Sequence, residues 1–254
     1  MNWLWKALSS SVGKKVLMAI TGLGLCGFLI AHLAGNLLLY VGPAAYNHYA
    51  ESLHAQQALL LVAEVGLLLL FVVHIGLSLK VTQDNQTARP IGYEVKQSKL
   101  PQAPLAKPAR DIMFGTGIVI LLFLILHLAD FKFELRAEHV AGELPFDKAV
   151  RLLRDPLSFV VYIVGSLVLG YHVMHGFQSA FQTLGLNHPK YTPTIKKLSV
   201  VFALIVGLGF ASFPLFGFAR KSKATAHVQA PNPSRVEPPQ TLPVHPEPAV
   251  APQE

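Results

Sequence analysis

Five apolar stretches divide this chain, and each is long enough to cross a lipid bilayer as a helix. A helix needs about 20 apolar residues to cross the hydrocarbon core. Helices and closed barrels are the only forms in which a membrane-spanning backbone satisfies its own hydrogen bonds. The pattern therefore predicts an all-α membrane protein with five transmembrane helices, spans I to V, over residues 16–41, 55–81, 112–131, 157–184 and 198–218.

The composition agrees with a membrane protein and excludes a soluble enzyme. Hydrophobic residues make up 52% of the chain and charged residues 14%, against a usual charged share of about 25%. The net charge of +7 lies in the connecting segments. Basic residues there set the orientation of membrane proteins, and no motif for reading nucleic acid accompanies them, so we expect no nucleic-acid partner.

The distribution of lysine and arginine predicts which ends of the spans face the cytoplasm. Basic residues are frequent and acids rare in the N-terminal segment, the II–III loop and the IV–V loop. The I–II loop has no lysine or arginine, and the III–IV loop contains both basic and acidic residues. The positive-inside rule then puts the N-terminus in the cytoplasm and, after five spans, the C-terminus outside. We expect a multi-pass protein of the inner, cytoplasmic membrane.

The two ends of the chain are predicted to lie outside the membrane core. Residues 1–15 form a short cytoplasmic segment, and the apolar run that follows is too long for a signal peptide, so we expect it to be retained. The five-helix domain would occupy residues 16–218. Residues 219–254 are rich in proline and are expected to be disordered.

Four of the spans each carry a histidine in their later part. These are His32, His74, His127 and His172. Ionisable side chains are rare inside a bilayer and mark functional sites by default. One such histidine could serve helix packing, but four at matching depth predict a shared role.

The direction of the helices predicts how the four histidines pair. Consecutive spans run in opposite directions, so His32 and His127 fall near the outer face and His74 and His172 near the inner face. A rise of about 1.5 Å per residue puts the two levels on the order of 10–20 Å apart. Paired imidazoles bind haem iron and favour electron transfer. The single cysteine, Cys26, excludes covalent haem attachment, so we predict two non-covalent b haems stacked inside an antiparallel four-helix bundle.

Three further polar residues are candidates for the same chemistry. His175 follows His172 by three residues and could replace it as a ligand or pair with a haem propionate. Glu64 lies deep in span II and Glu51 just before that span. Both could handle protons near a quinone, although Glu64 could instead be a protonated packing residue and Glu51 a solvated loop acid.

Four sequence stretches carry a resemblance to a known family. The segments Ser11–Lys15, His32–Leu37 and Tyr46–Ala50, and the longer segment His172–Gly185, resemble the cytochrome b subunit of succinate:quinone oxidoreductases of the five-helix, dihaem type. The resemblance covers roughly residues 8–218 and leaves out the proline-rich tail.

The resemblance implies the membrane anchor of a succinate dehydrogenase or fumarate reductase. A flavoprotein and an iron–sulfur subunit would dock on the cytoplasmic face, and electrons would pass through two haems to or from a menaquinone-type quinone. Succinate chemistry would lie on the partner subunits. Matched by position, the family's axial ligands are His32, His74, His127 and His172, with His172 preferred over His175.

One position departs from the family pattern, and two other functions stay open. Some fumarate reductases of the family carry a glutamate two positions before the last ligand, where this chain has Gly170. The direction of catalysis is therefore open. The residues alone also allow a dihaem cytochrome of a formate dehydrogenase or hydrogenase, or a non-haem membrane protein whose histidines serve packing.

Overall fold

The computed structural model describes residues 3–88, 109–136 and 140–220, with side chains from residue 112 onward in the second range. The described residues form helices joined by turns and short loops, and they contain no strand. The elements are α1 (Trp3–Ser9), α2 (Ser11–Asn36), α3 (Leu38–Val41), α4 (Pro43–Ala55), α5 (Gln57–Thr87), α6 (Ala109–Phe131), α7 (Pro145–Arg154), α8 (Pro156–Thr183) and α9 (Thr192–Ala219). The predicted disordered tail and most of the II–III loop lie outside the described residues.

The prediction of five transmembrane helices is confirmed. Five described segments have the length and apolar composition to cross a membrane: Ser11–Val41, Gln57–Thr87, Ile112–Phe131, Pro156–Thr183 and Thr192–Ala219. Span II extends further than predicted: α5 continues to Thr87 and so includes Asp84. The predicted N-terminal segment contains α1 and the first turns of α2.

Local sequence explains where several helices begin. The Ser10 hydroxyl accepts a hydrogen bond from the Gly13 amide at 3.0 Å and caps α2. Asp155 caps α8 in the same way, accepting from the Ser158 amide at 2.9 Å, with Pro156 at the first helical position. Gly42 has φ 127°, a conformation that favours glycine, and it separates α3 from α4.

The four histidine-bearing helices, α2, α5, α6 and α8, pack together as a bundle, and α9 packs against it. α5 packs on α2, α2 on α8, and α8 on α6, while α9 packs along α8 and also contacts α2 and α7. Two ion pairs tie the helix ends. Lys14 of α2 pairs with Asp84 of α5 at one end of the bundle, and Glu64 of α5 pairs with Lys132, just after α6, at the other. Each ion pair joins the beginning of one helix to the end of another. The joined helices therefore run in opposite directions, as the sequence predicted.

Candidate functional site

His32 of α2 and His127 of α6 lie next to each other, and we call them the outer pair. Their ring centroids are 5.9 Å apart and their planes are 84° from parallel. Two imidazoles that share one metal ion, each through a bond of about 2 Å, have their centroids about 6 Å apart. The two side chains are therefore at a separation that suits a shared metal.

The surroundings of the outer pair are aromatic, and one ring nitrogen is left without a partner. Rings that pack around the two histidines at centroid distances of 5.1–5.9 Å are Phe28, Phe123, Phe131, Tyr162 and Phe210. Among the described residues, none hydrogen-bonds the buried Nδ1 of His127. Since buried polar atoms are nearly always paired, the protein alone leaves this ring incomplete. Aromatic surroundings and an imidazole without a protein partner among the described residues fit a site that holds a haem.

His74 of α5 and His172 of α8, here the inner pair, are each held by a hydrogen bond to a neighbouring helix. The Nδ1 of His74 lies 3.2 Å from the Thr21 hydroxyl of α2, and the Nδ1 of His172 lies 2.9 Å from the Thr116 hydroxyl of α6. Each inner histidine is thus oriented by a threonine from a neighbouring helix, which leaves its Nε2 as the nitrogen available for a ligand bond.

His175 lies one turn beyond His172 on α8. Its ring packs against Tyr171 with centroids 4.8 Å apart. The buried Nε2 of His175 has no hydrogen-bond partner among the described residues. His175 is therefore a further imidazole near the inner pair, and its Nε2 has no hydrogen-bond partner among the described residues.

Glu64 and Glu51 both lie at the end of the bundle near the outer pair. Glu64 is roughly two turns into α5 and accepts a hydrogen bond from the Lys132 ammonium at 2.5 Å. Its side chain is 37% exposed, so it is less buried than span II alone suggested. Glu51 is exposed on α4, and nothing in the described part of the chain joins it to Glu64.

A search of known proteins gives one informative match. The chain is 26% identical, over 182 residues, to the succinate dehydrogenase cytochrome b558 subunit of Bacillus subtilis (strain 168). The match covers 70% of this chain and 81% of that protein. This chain is related to the succinate dehydrogenase cytochrome b subunits. No protein-family model matches it, and no solved structure gives a significant match.

Helix packing explains why position 170 is a glycine in this chain. A Cβ atom at this position would lie 2.9 Å from both the Ala203 carbonyl oxygen and the Gly207 Cα of α9. Because both obstacles are backbone atoms, α8 and α9 would have to separate to admit any side chain. A glutamate at position 170 does not fit this helix contact, and Gly170 itself offers no proton-carrying group.

The structure also identifies a buried polar cluster that the sequence did not predict. Asp130 lies next to the charges of the III–IV loop in the sequence. In the structure it belongs to α6 and is 0% exposed. Its carboxylate accepts from Arg136 at 2.8 and 3.1 Å, from the Ser158 hydroxyl at 3.0 Å and from the Tyr162 hydroxyl at 3.1 Å. Tyr162 packs on His127. The signal that could have found the cluster is the acid one helical turn after a candidate ligand.

Two further ion pairs lie at this end of the bundle, and one of them involves the same arginine. Arg136 also donates to Asp155 at 2.9 Å. The hydrogen bond from the Ser158 amide, helped by Arg136, lowers the pKa of the Asp155 carboxyl. Arg151 donates two hydrogen bonds to Glu143 at 2.7 and 2.6 Å, which raises the pKa of the guanidinium. These pairs brace α7 and the start of α8 next to the outer pair.

Proposed function

We propose that this chain is the membrane-anchoring, dihaem cytochrome b subunit of a succinate dehydrogenase or fumarate reductase. It would transfer electrons between the iron–sulfur subunit and a membrane quinone of the menaquinone type. The observation that carries the proposal is the contact between His32 and His127, with ring centroids 5.9 Å apart. Two further transmembrane histidines, His74 and His172, are each oriented by a threonine of a neighbouring helix. The relationship to a succinate dehydrogenase cytochrome b558 subunit supports the choice of complex.

Each histidine pair would hold one haem b. His32 and His127 would ligate the outer haem, and His74 and His172 the inner haem. Two imidazole ligands leave no open iron position, so the bound group would supply one-electron transfer rather than oxygen chemistry. His175 is an alternative inner ligand or a propionate partner. Its buried Nε2 without a protein partner in the described structure supports the second role.

Quinone chemistry would take place at the outer end of the bundle. Oxidation of a quinol releases protons, and a carboxylate at the membrane surface can accept them. We assign this role to Glu51 and Glu64. Lys132 holds the Glu64 carboxylate beside the end of α6. Glu51, on the exposed side of α4, would pass protons to water.

The chain would sit in the inner membrane with its N-terminus in the cytoplasm and its C-terminus outside. The flavoprotein and iron–sulfur subunits would dock on the cytoplasmic face, close to the inner pair. The basic residues of the N-terminal segment and the IV–V loop support this orientation. Succinate and fumarate would react on the flavoprotein, and this subunit would carry only electrons and protons.

The first test is a reduced-minus-oxidised spectrum of the purified chain in detergent, with a pyridine haemochrome count. We expect two b haems per chain. Replacing His74 or His172 with alanine should remove one haem, and replacing His32 or His127 the other. A well-folded chain without haem would refute the proposal. Two haems in a chain that co-purifies with a different dehydrogenase would keep the cytochrome and refute the choice of complex.

A further inference from the structure

The same dipeptide, Thr-Gly, lies against each inner histidine. Thr21 and Gly22 of α2 contact His74, and Thr116 and Gly117 of α6 contact His172. In both cases the threonine hydroxyl meets Nδ1 of the ring, at 3.2 and 2.9 Å. In both cases a Cβ atom on the glycine would approach ring atom Cε1, at 3.2 and 3.9 Å. Two helices thus present the same two-residue contact to two different histidines.

Counting protons decides the direction of each hydrogen bond. The Thr21 hydroxyl also lies 2.9 Å from the Leu17 carbonyl oxygen, and the Thr116 hydroxyl lies 2.8 Å from the Ile112 carbonyl oxygen. A carbonyl can only accept, so the single hydroxyl proton is committed to it. The threonine oxygen must then accept from the histidine. The Nδ1 atoms of His74 and His172 therefore carry the proton, and each Nε2 has a free lone pair.

The glycine that follows Thr21 makes room for the contact with His74, whereas a Cβ at Gly117 would make an ordinary contact with His172. An ideal Cβ at position 22 would be 3.2 Å from the His74 ring, which is tighter than most carbon–carbon contacts. The absence of a side chain therefore lets the imidazole lie against the backbone of α2 while its Nδ1 reaches Thr21. The orientation of the His74 ring thus follows from two neighbouring residues on the facing helix.

His127 of the outer pair lacks this arrangement in the part of the chain that the structure describes. The buried Nδ1 of His127 meets no hydrogen-bonding group within the described ranges, and its neighbours are the aromatic rings of Phe123, Phe131 and Tyr162. A hydrogen bond from the second ring nitrogen fixes the tautomer of a ligating histidine and raises its basicity. The two histidine pairs are therefore chemically unequal, although their four ligands are identical.

We propose that Thr21 and Thr116 are positioning residues that fix His74 and His172 as Nε2 ligands and so distinguish the inner haem from the outer one. The proposal rests on the proposed dihaem function. Each threonine accepts the Nδ1–H of its histidine while donating its own proton along the helix. More basic imidazoles stabilise oxidised iron, so the threonines lower the midpoint potential of the inner haem and strengthen its binding.

The test compares Thr21→Val and Thr116→Val with the wild-type chain. Valine keeps the shape of threonine and removes the acceptor. We expect the midpoint potential of the inner haem to rise in a spectroscopic redox titration, and its affinity for haem to fall about 10-fold or more. The outer haem should not change. The inner component is assigned as the one lost in His74→Ala, and Thr21→Ser, which retains a hydroxyl, should restore the wild-type values.

Thr87→Val is the matched control. The Thr87 hydroxyl makes the same bond to a carbonyl one turn earlier, to Gln83 at 3.0 Å, on a part of α5 remote from both pairs. It should leave both haems unchanged. Equal shifts of both haems, or no shift in Thr21→Val and Thr116→Val, would overturn the proposal.

A measurement on the haem-free chain keeps the two proposals separate and needs no threonine variant. Nitrogen-15 NMR of the full wild-type chain in lipid should show His74 and His172 protonated on Nδ1, with resonances assigned by His→Gln replacement. The opposite tautomer would contradict the role of the threonines. A wild-type chain that takes up no haem would refute the proposed function, while the NMR result would still decide the hydrogen-bond direction.

Discussion

Asp130 is predicted to be the most important single polar residue for the stability of this bundle. Its carboxylate is fully buried and accepts hydrogen bonds from Arg136, Ser158 and Tyr162. Replacing it with alanine would leave two hydroxyl groups and a guanidinium without that partner. Removing one partner of a buried ion pair costs about 3–5 kcal/mol.

The structure puts the expected loss near the lower end of that range. Arg136 is 28% exposed and keeps a second carboxylate, Asp155, at 2.9 Å. We therefore expect Asp130→Ala to lower the free energy of unfolding by about 3 kcal/mol. Asp130→Asn keeps the size and an acceptor oxygen but loses the charge. Its cost should be about 1–2 kcal/mol, the difference between charged and neutral hydrogen bonds.

The assay is unfolding of the detergent-solubilised chain by titration with sodium dodecyl sulfate, followed by far-ultraviolet circular dichroism. Asp147→Asn is the matched control, because Asp147 is an exposed aspartate on α7 at the same end of the bundle. It should change the free energy of unfolding by no more than about 0.5 kcal/mol. If Asp130→Ala and Asp147→Asn behave alike, the buried cluster does not stabilise the fold and the reasoning is wrong.

Three further predictions concern the packing and the helix cap. Gly22→Ala should weaken inner haem binding more than Gly117→Ala in a haem titration, because the added Cβ would be 3.2 rather than 3.9 Å from the histidine ring; equal effects would contradict this. Gly170→Ala should destabilise the chain by about 1–3 kcal/mol in the same unfolding assay, since a Cβ would meet the backbone of α9, and a neutral result would show that the helices separate freely. Asp155→Ala should cost about 1 kcal/mol through loss of the α8 cap, whereas Asp155→Asn should cost less. Because the folded-state pKa of Asp155 is lowered, the contribution of its charge is complete above the unfolded pKa, near 4, and is lost as the pH falls through the folded value. The advantage of wild type over Asp155→Asn should therefore disappear in acid, and a pH-independent difference would exclude the charge as its source.

The levels of the histidines could be predicted because they depend only on helix direction and rise. His32 and His127 had to share one end of the bundle once five consecutive spans alternate in direction. Their ring centroids, 5.9 Å apart, agree with that pairing. The partners of the side chains could not be predicted in the same way. In the sequence, Asp130 at the end of span III resembles the loop charges that follow it, and no sequence signal distinguishes Thr21 and Thr116 from other threonines.

The sequence by itself determined the number of membrane helices, their alternating directions and the levels of the four histidines, because these follow from segment length and a fixed rise per residue. Only the tertiary structure decided which faces meet. In a soluble helix an apolar stripe marks the buried side, but in a bilayer the lipid-facing side is apolar as well. Rotation of each helix about its axis is therefore set by a few close contacts, such as Gly170 on Gly207 and Thr21 on His74. The contact between Thr21 and His74 orients one ring of the inner pair.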